Sequence, residues 1–404
     1  NPWYVCCFEI ADTKDLLRSV MMLLGLARSG GRRCRWGDRR FFHGCGGLGF
    51  GWKDATHELR AFPEVAEVGN SNELGYNQIV SLERVLDVCK TSIGPGNDIT
   101  QSAACLLAMA SVPGGFFGRG QTALQLLEQN DETREQAEMK MRILKFLRCE
   151  DPDQLDSMIS ERGRFGEWNQ VIIDLVQGNI DTTAGDEIIN KIMVQVDGGD
   201  EIRLFEGFNE QDDQAMVESA RKLAKSHPNL VLFAAKVHVA KYISQKQENS
   251  ETAHEQLNHA LMFLEALSSS TEWFSCKEDI AFQQIVTRAQ NQAFEQNLNA
   301  MFGITLGMLA KSLHLDQSQA VSAEGVYRSS LKRLTTLSKG GLRFAVEPSL
   351  VKINEDYASL LSDWENREGE ATTIRDAQAD KQQSLILGHI PLLLYFQNGW
   401  GITL

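Results

Sequence analysis

The stretch KEDIAFQQIVTRAQNQAFEQNLNAM, residues 277–301, decides how the chain is read. Phe282, Ile285, Ala289 and Ala293 recur in steps of three and four, with Phe294 next to the last of them. That spacing puts them on one face of an α-helix, a core-facing stripe that no strand period explains. Working outward, helical patterns recur just upstream at 211–226, 228–246 and 251–268, and downstream at 304–314, 318–338, 348–368 and 371–387. Upstream, Leu82, Val85, Leu86 and Cys89 keep the same period. Residues 98–112 are small and apolar, as in a buried helix, and Val112 to Gly120 read as the loop that ends it. A further helix is expected over 121–149. Asp151-Pro152-Asp153-Gln154 has Asp at the N-cap, Pro at N1 and Gln at N3, so it opens another. Residues 168–178 and 184–196 read as helices, with enough β-branched side chains to leave a strand open, and 197–209 read as a loop. The fold class expected is all-α.

Composition agrees with a globular body. The 404 residues are 43% hydrophobic and 23% charged, and the 8 prolines are scattered, so long helices are permitted almost everywhere. A net charge of −14 excludes a generally cationic protein; any nucleic-acid contact has to come from local basic patches. The 8 cysteines form no C-x-x-C pair and are irregularly spaced, which favours buried thiols over a disulfide framework. The longest apolar run, Val20 to Ala27, is too short to span a bilayer, and no leader pattern opens the numbered chain. The expected location is therefore cytoplasmic, with no membrane partner.

No cofactor and no metal is expected, because each motif-like stretch lacks a part its chemistry needs. Gly44-Cys45-Gly46-Gly47-Leu48-Gly49 fits a dinucleotide-binding glycine pattern, but Arg39-Arg40-Phe41-Phe42-His43 before it makes a poor buried strand. Gly115 to Thr122 resembles a phosphate-binding loop with Gln121 in place of the lysine that would meet the phosphates. His254 and His259 are five apart, where two zinc ligands on one helix face must be four apart, so they read as surface histidines. Asn130-Asp131 with Glu138, and Asp212-Asp213, are incomplete magnesium motifs and read as solvated helix faces. No nucleophile sits in a recognisable elbow.

The stronger signal is segregated positive charge. Residues 325–346 hold Arg328, Lys332, Arg333, Lys339 and Arg343 and no acid, while 181–213 are rich in Asp and Glu. On a helix, Arg328, Lys332 and Lys339 fall on one face, with Tyr327, Leu331, Leu334 and Leu337 on another. Such a helix would dock by its leucines and present a row of cations able to follow phosphates roughly 6–7 Å apart. An ordinary solvated amphipathic face is the competing reading. Arg32, Arg33 and Arg35, beside Trp36, form a second cluster in an Arg/Gly-rich loop region over 28–53, where aromatic and guanidinium planes could stack on bases. A third comprises Lys145 and Arg148, with Lys140 and Arg142 before them and Arg162 and Arg164 after. A partner-binding loop and ordinary helix charge pairing, respectively, would explain these two as well. Both ends of the chain are apolar and aromatic: Trp3, Tyr4 and Phe8 at one, Leu392 to Phe396 and Trp400 at the other. They either pack on their own body or act as arms docking on neighbouring copies.

Taken together, the layout resembles the nucleoproteins of non-segmented negative-strand RNA viruses. Phe294 followed by Ala300-Met301-Phe302-Gly303 is similar to an aromatic and Ala-Met-Gly element of the paramyxovirus members, with Asn299 where a tyrosine would stand and no serine. The resemblance implies a two-lobed helical protein that clamps single-stranded RNA in a basic cleft, forms a homo-oligomer through exchanged terminal arms and resides in the virion. Its expected divisions are an N-terminal arm with the Arg/Gly-rich region (1–60), an N-terminal lobe (61–249), a C-terminal lobe (250–375) and a C-terminal arm (376–404). Two readings of other classes stand beside it. One is a helical scaffold or capsid-like assembly protein with no nucleic acid of its own; the other is a helical enzyme whose site is assembled from distant residues.

Overall fold

The computed structural model describes residues 58–71, 74–126, 166–181, 193–195, 201–203, 213–245, 250–269, 273–274, 281–315, 319–339 and 342–394, and these are mostly helical. Several expectations lie outside the described residues: the Gly44–Gly49 loop, Arg32, Arg33 and Arg35, Lys145 and Arg148, the Asp151 helix start, and the apolar residues before 58 and after 394. The described residues fall into two compact units, the first within Asn1–Ser111, Phe117–Asn130 and Cys276–Arg288, the second within Val112–Phe116, Asp131–Ser275 and Ala289–Leu404.

In the first unit, α1 (Pro63–Asn70) takes its proline at N1, where the missing N–H costs nothing. α2 (Tyr76–Ser92) starts after Gly75, whose N–H donates to Gln78 Oε1 at 3.2 Å. It buries Ile79, Leu82, Val85, Leu86 and Cys89, the stripe legible in the sequence. Burial alone pushes the Cys89 thiol up to about 12. α3 (Asp98–Gly114) is capped by Asn97, whose Oδ1 accepts the Ile99 N–H at 2.9 Å. Every residue from Thr100 to Ser111 is buried, as its small apolar composition requires. The break after it is shorter than expected. Gly115 takes φ +75°, and α4 (Phe117–Leu124) begins two residues later, so Gln121 and Thr122 are helical rather than part of a phosphate-cradling loop. Arg119 of α4 pairs with Glu83 of α2.

The second unit is built round α7 (Pro228–Gln245), packed by α5 (Gly166–Val176), α6 (Asp213–Ser226) and α8 (Ser250–Ser268). Every residue from Leu230 to Tyr242 is buried, so this helix is apolar on all sides and carries Lys236 and Lys241 into the core with it. Burial pushes the Lys236 ammonium down to about 7 and that of Lys241 to about 8. Between α5 and α6, β1 (Met193–Gln195) pairs antiparallel with β2 (Glu201–Arg203), Val194 opposite Ile202. This corrects the helical reading at the end of 184–196 and the loop reading at 201–203; the β-branched content there decides for extended backbone.

α9 (Ala281–Leu315) is one helix of 35 residues. The sequence pattern gives two stretches, 277–301 and 304–314; the chain is helical through both, and Gly303 between them serves packing. The core-facing stripe is confirmed at Ile285, Ala289, Ala293 and Phe294, all buried. Phe294 is closed in by Trp273 and Phe274, ring centroids 4.8 Å and 5.7 Å away. α10 (Ala320–Leu337) matches the expected 318–338. α11 (Arg343–Ser362) starts and stops five or six residues earlier than expected and admits Pro348 in its second turn. The helical pattern at 371–387 resolves into α12 (Glu368–Asp376), a single 3-10 turn (Ala379–Lys381) and α13 (Gln382–Leu387). α14 (Ile390–Leu394) follows. Leu387, Leu392, Leu393 and Leu394 are buried in the second unit's own core, α13 and α14 lying against α11. No helix among the described residues is long and apolar enough to cross a membrane.

Candidate nucleic-acid interface

The local cause of the site is the way α10 docks. It buries Ala323, Tyr327, Ser330 and Leu334 and half-buries Leu331 and Leu337 against the core. Buried positions at steps of three and four turn the opposite face to solvent. Arg328, Lys332, Arg333 and Lys339 are accordingly exposed, as is Arg343 at the start of α11. The docking is tight because α9 offers glycines where α10 and α11 cross it. A Cβ on Gly303 would stand 2.5 Å from Leu334 Cδ2, and one on Gly307 would stand 3.0 Å from Ser330 Oγ and would collide with Ile353. Ser330 Oγ donates to the Gly303 carbonyl at 2.6 Å.

The five cations do not share one environment. Arg328 is tied to its own helix and to α11: its guanidinium pairs with Glu324 at 2.7 Å, and its Nε donates to the Tyr357 hydroxyl at 3.3 Å. Glu324 also accepts from Arg367 at 2.7 Å, and Arg367 reaches Glu370 at 2.7 Å. Desolvation works against ionising Glu324, but the Arg367 hydrogen bond, the charges of Arg328 and Arg367, and Tyr357 outweigh it and hold its carboxyl below the usual range. Arg343 sits 3.9 Å from Glu347, a carboxylate that Lys381 also engages at 2.7 Å. Arg333 donates to Asn299 Oδ1 at 3.2 Å, and its Cζ lies over the Phe302 ring, 5.1 Å from the centroid. Lys332 and Lys339 are exposed and have no ion pair among the described residues.

The sequence reading placed Arg328, Lys332 and Lys339 on one outward face, named Arg333 and Arg343 beside them, and missed their partners. Glu324 was legible: it precedes Arg328 by four residues, the helix ion-pair spacing, and stands one residue outside the acid-free stretch. Nothing local linked Tyr357, Arg367, Asn299 or Phe302 to these cations, because they lie far from them in the chain. Arg328 thus shares Glu324 with Arg367, and the charges with no carboxylate partner among the described residues are those of Lys332, Lys339 and Arg333.

The histidines of α8 also need correcting. His254 and His259 are half-buried rather than surface groups. His254 Nδ1 is 3.3 Å from Ser312 Oγ, while the His259 ring meets that of His238 edge-on, centroids 5.3 Å apart. They therefore point to different neighbours, as a separation of five on a helix requires. No protein-family model, curated protein or solved structure matches this chain.

Proposed function

We propose that this chain is a self-assembling helical nucleoprotein that coats single-stranded RNA, with the outer face of α10 as part of its phosphate-binding surface. The observation that carries the reading is the position of Lys332, on the outward face of α10, and Lys339, in the turn just past its end: both are exposed and unpaired among the described residues, within a stretch that holds no acid from Gly325 to Val346. In an acidic protein of net charge −14, cations kept clear of carboxylates are available for an external polyanion. The reading carries with it a homo-oligomer formed through the apolar chain ends, a cytoplasmic site of action and, in the viral case, incorporation into the virion.

The charge-reversal variant K332E/K339E tests the interface. Both side chains are exposed, so thermal stability should change little. RNA affinity at low salt should fall about tenfold or more, and the slope of log affinity against log salt should shrink by about 1.4, at roughly 0.7 for each phosphate of a single strand that is no longer neutralised. Unaltered affinity and slope would remove α10 from the interface.

The second reading is a scaffold without nucleic acid, favoured by the pairing of Arg328 and Arg343 with glutamates of their own chain. Purification at low salt separates the two readings: the RNA reading requires a large species whose nucleic-acid absorbance falls on RNase treatment, the scaffold a large species with protein absorbance alone. Deletions that test the arms have to stop short of Leu394, because Leu392 to Leu394 belong to the core. Removing 395–404 together with 1–10 should yield monomers if the ends link copies. Assembly that survives both deletions argues against linkage by the ends.

A further inference from the structure

We infer that Arg333 is a base-stacking platform beside the phosphate row, so that this surface takes single-stranded RNA through base faces as well as backbone charge. The inference rests on the RNA-binding reading of α10 and specifies what that surface recognises.

The platform is founded on Gly303. Because that position has no Cβ, Leu334 can lie against the α9 backbone, and the Ser330 hydroxyl hydrogen-bonds the Gly303 carbonyl at 2.6 Å. The residues next to this contact on either helix, Phe302 on α9 and Arg333 on α10, are thereby brought together, with Arg333 Cζ 5.1 Å from the Phe302 ring centroid. One turn earlier on α9, Asn299 accepts a hydrogen bond from Arg333 Nη1 at 3.2 Å. Phe302 is only 9% exposed, so the guanidinium covers a ring that belongs to the core.

A guanidinium is planar and has two faces. Here a buried ring supports it and an amide holds one edge, yet the residue as a whole is exposed. A flexible arginine must lose side-chain freedom to stack on a base; one already held by Phe302 and Asn299 has lost much of it before binding. Nucleobases stack on guanidinium planes, and single strands leave their base faces open for it, whereas duplex pairs are stacked on each other. Arg333 follows Lys332 directly in sequence, so a strand whose phosphates lie on Lys332 has its bases within reach of this plane. Charge alone does not account for the arrangement, since no carboxylate is needed to hold Arg333 in place: an aromatic ring and a neutral amide do so.

The test uses the full chain, with R333K as the decisive variant because it keeps the charge and removes the plane. Binding is read by fluorescence anisotropy for oligoadenylate and oligouridylate single strands, their duplex, and inorganic polyphosphate as a polyanion without bases. K332E/K339E is run in parallel, with circular-dichroism melts of each protein to confirm the fold. R333K is expected to weaken oligoadenylate binding roughly 5- to 20-fold, oligouridylate less, and polyphosphate by no more than about twofold. N299A should weaken oligoadenylate in the same direction by a smaller factor. If R333K binds oligoadenylate as the parent does while K332E/K339E loses it, stacking is overturned and the phosphate surface stands. Equal losses of R333K on oligoadenylate and polyphosphate also overturn it, because the missing interaction is then not with a base. If K332E/K339E binds RNA as tightly as the parent, the RNA-binding reading of α10 falls and the platform with it.

Discussion

Leu334→Ala is expected to destabilise the protein by about 2–5 kcal/mol, and adding Gly303→Ala is expected to cost less in that background than in the parent. Leu334 is fully buried and its side chain occupies the space a Gly303 Cβ would need, at 2.5 Å from Cδ2 and 2.6 Å from Cγ. Truncating it leaves a cavity whose lining cannot fully collapse. Gly303→Ala alone forces a methyl group into occupied space and should cost about 1–3 kcal/mol, reduced by up to about 1 kcal/mol because alanine is the better helix former. Together the two changes compensate in part: Leu334→Ala removes an isopropyl group, and the new methyl fills some of the space it leaves. A double-mutant cycle by urea denaturation should therefore show a favourable coupling of about 1–3 kcal/mol. Additivity within about 0.5 kcal/mol would mean that α9 and α10 do not meet at this glycine. The single Gly303→Ala variant carries a functional consequence too, since pushing α10 outward lifts Arg333 from Phe302.

Between about pH 7 and pH 5 the protein is expected to lose about 2 kcal/mol of stability through His238 alone. Burial in α7 pushes this imidazole down to about 4, against a hydrogen bond to Gln256 that favours the charged form, and His259 lowers it further. The unfolded chain takes up a proton near the ordinary value of 6.5, while the folded chain resists until about pH 4. Over that interval the unfolded state binds more protons, so stability rises with pH and is lost as pH falls through 6.5 toward 4. The imidazole stacks on Phe263, ring centroids 5.5 Å apart, so water has little access to relieve the charge. His238→Gln should lower the melting temperature at every pH but flatten its dependence between pH 7 and pH 5, the other histidines being present in both proteins. Parallel melting-temperature curves for the two proteins would show that His238 does not carry the effect.

The helices were legible where apolar residues keep the helical period or, as in α7, fill the stretch. α2, α6, α7, α8 and α10 lie within one or two residues of the stretches that the period marks, or, for α2, on its apolar positions. Reading failed where a residue serves a partner far away in sequence. The pattern leaves a gap between 301 and 304, and a glycine inside a helix is locally unfavourable; only the approach of Leu334 and Ser330 shows why Gly303 is there. Lys236 and Lys241 stand in the apolar run from Leu230 to Tyr242, but only the packing of α5, α6 and α8 round α7 takes them inside.

What the sequence by itself determined is the helical class, the core stripe from Ile285 to Phe294 and the outward direction of the Arg328, Lys332 and Lys339 row. Helical period is a local property, and three or four residues suffice to state it. Only the tertiary structure decided which of those cations remain available. Arg328 is drawn to Glu324 and Tyr357, Arg333 is laid on Phe302 beside Asn299, and Lys332 and Lys339 are left to solvent among the described residues. The physical reason is that charge and stacking act through space over a few ångströms, and helix packing brings Asn299, Phe302 and Tyr357 that close to α10 from 29 to 34 residues away in the chain.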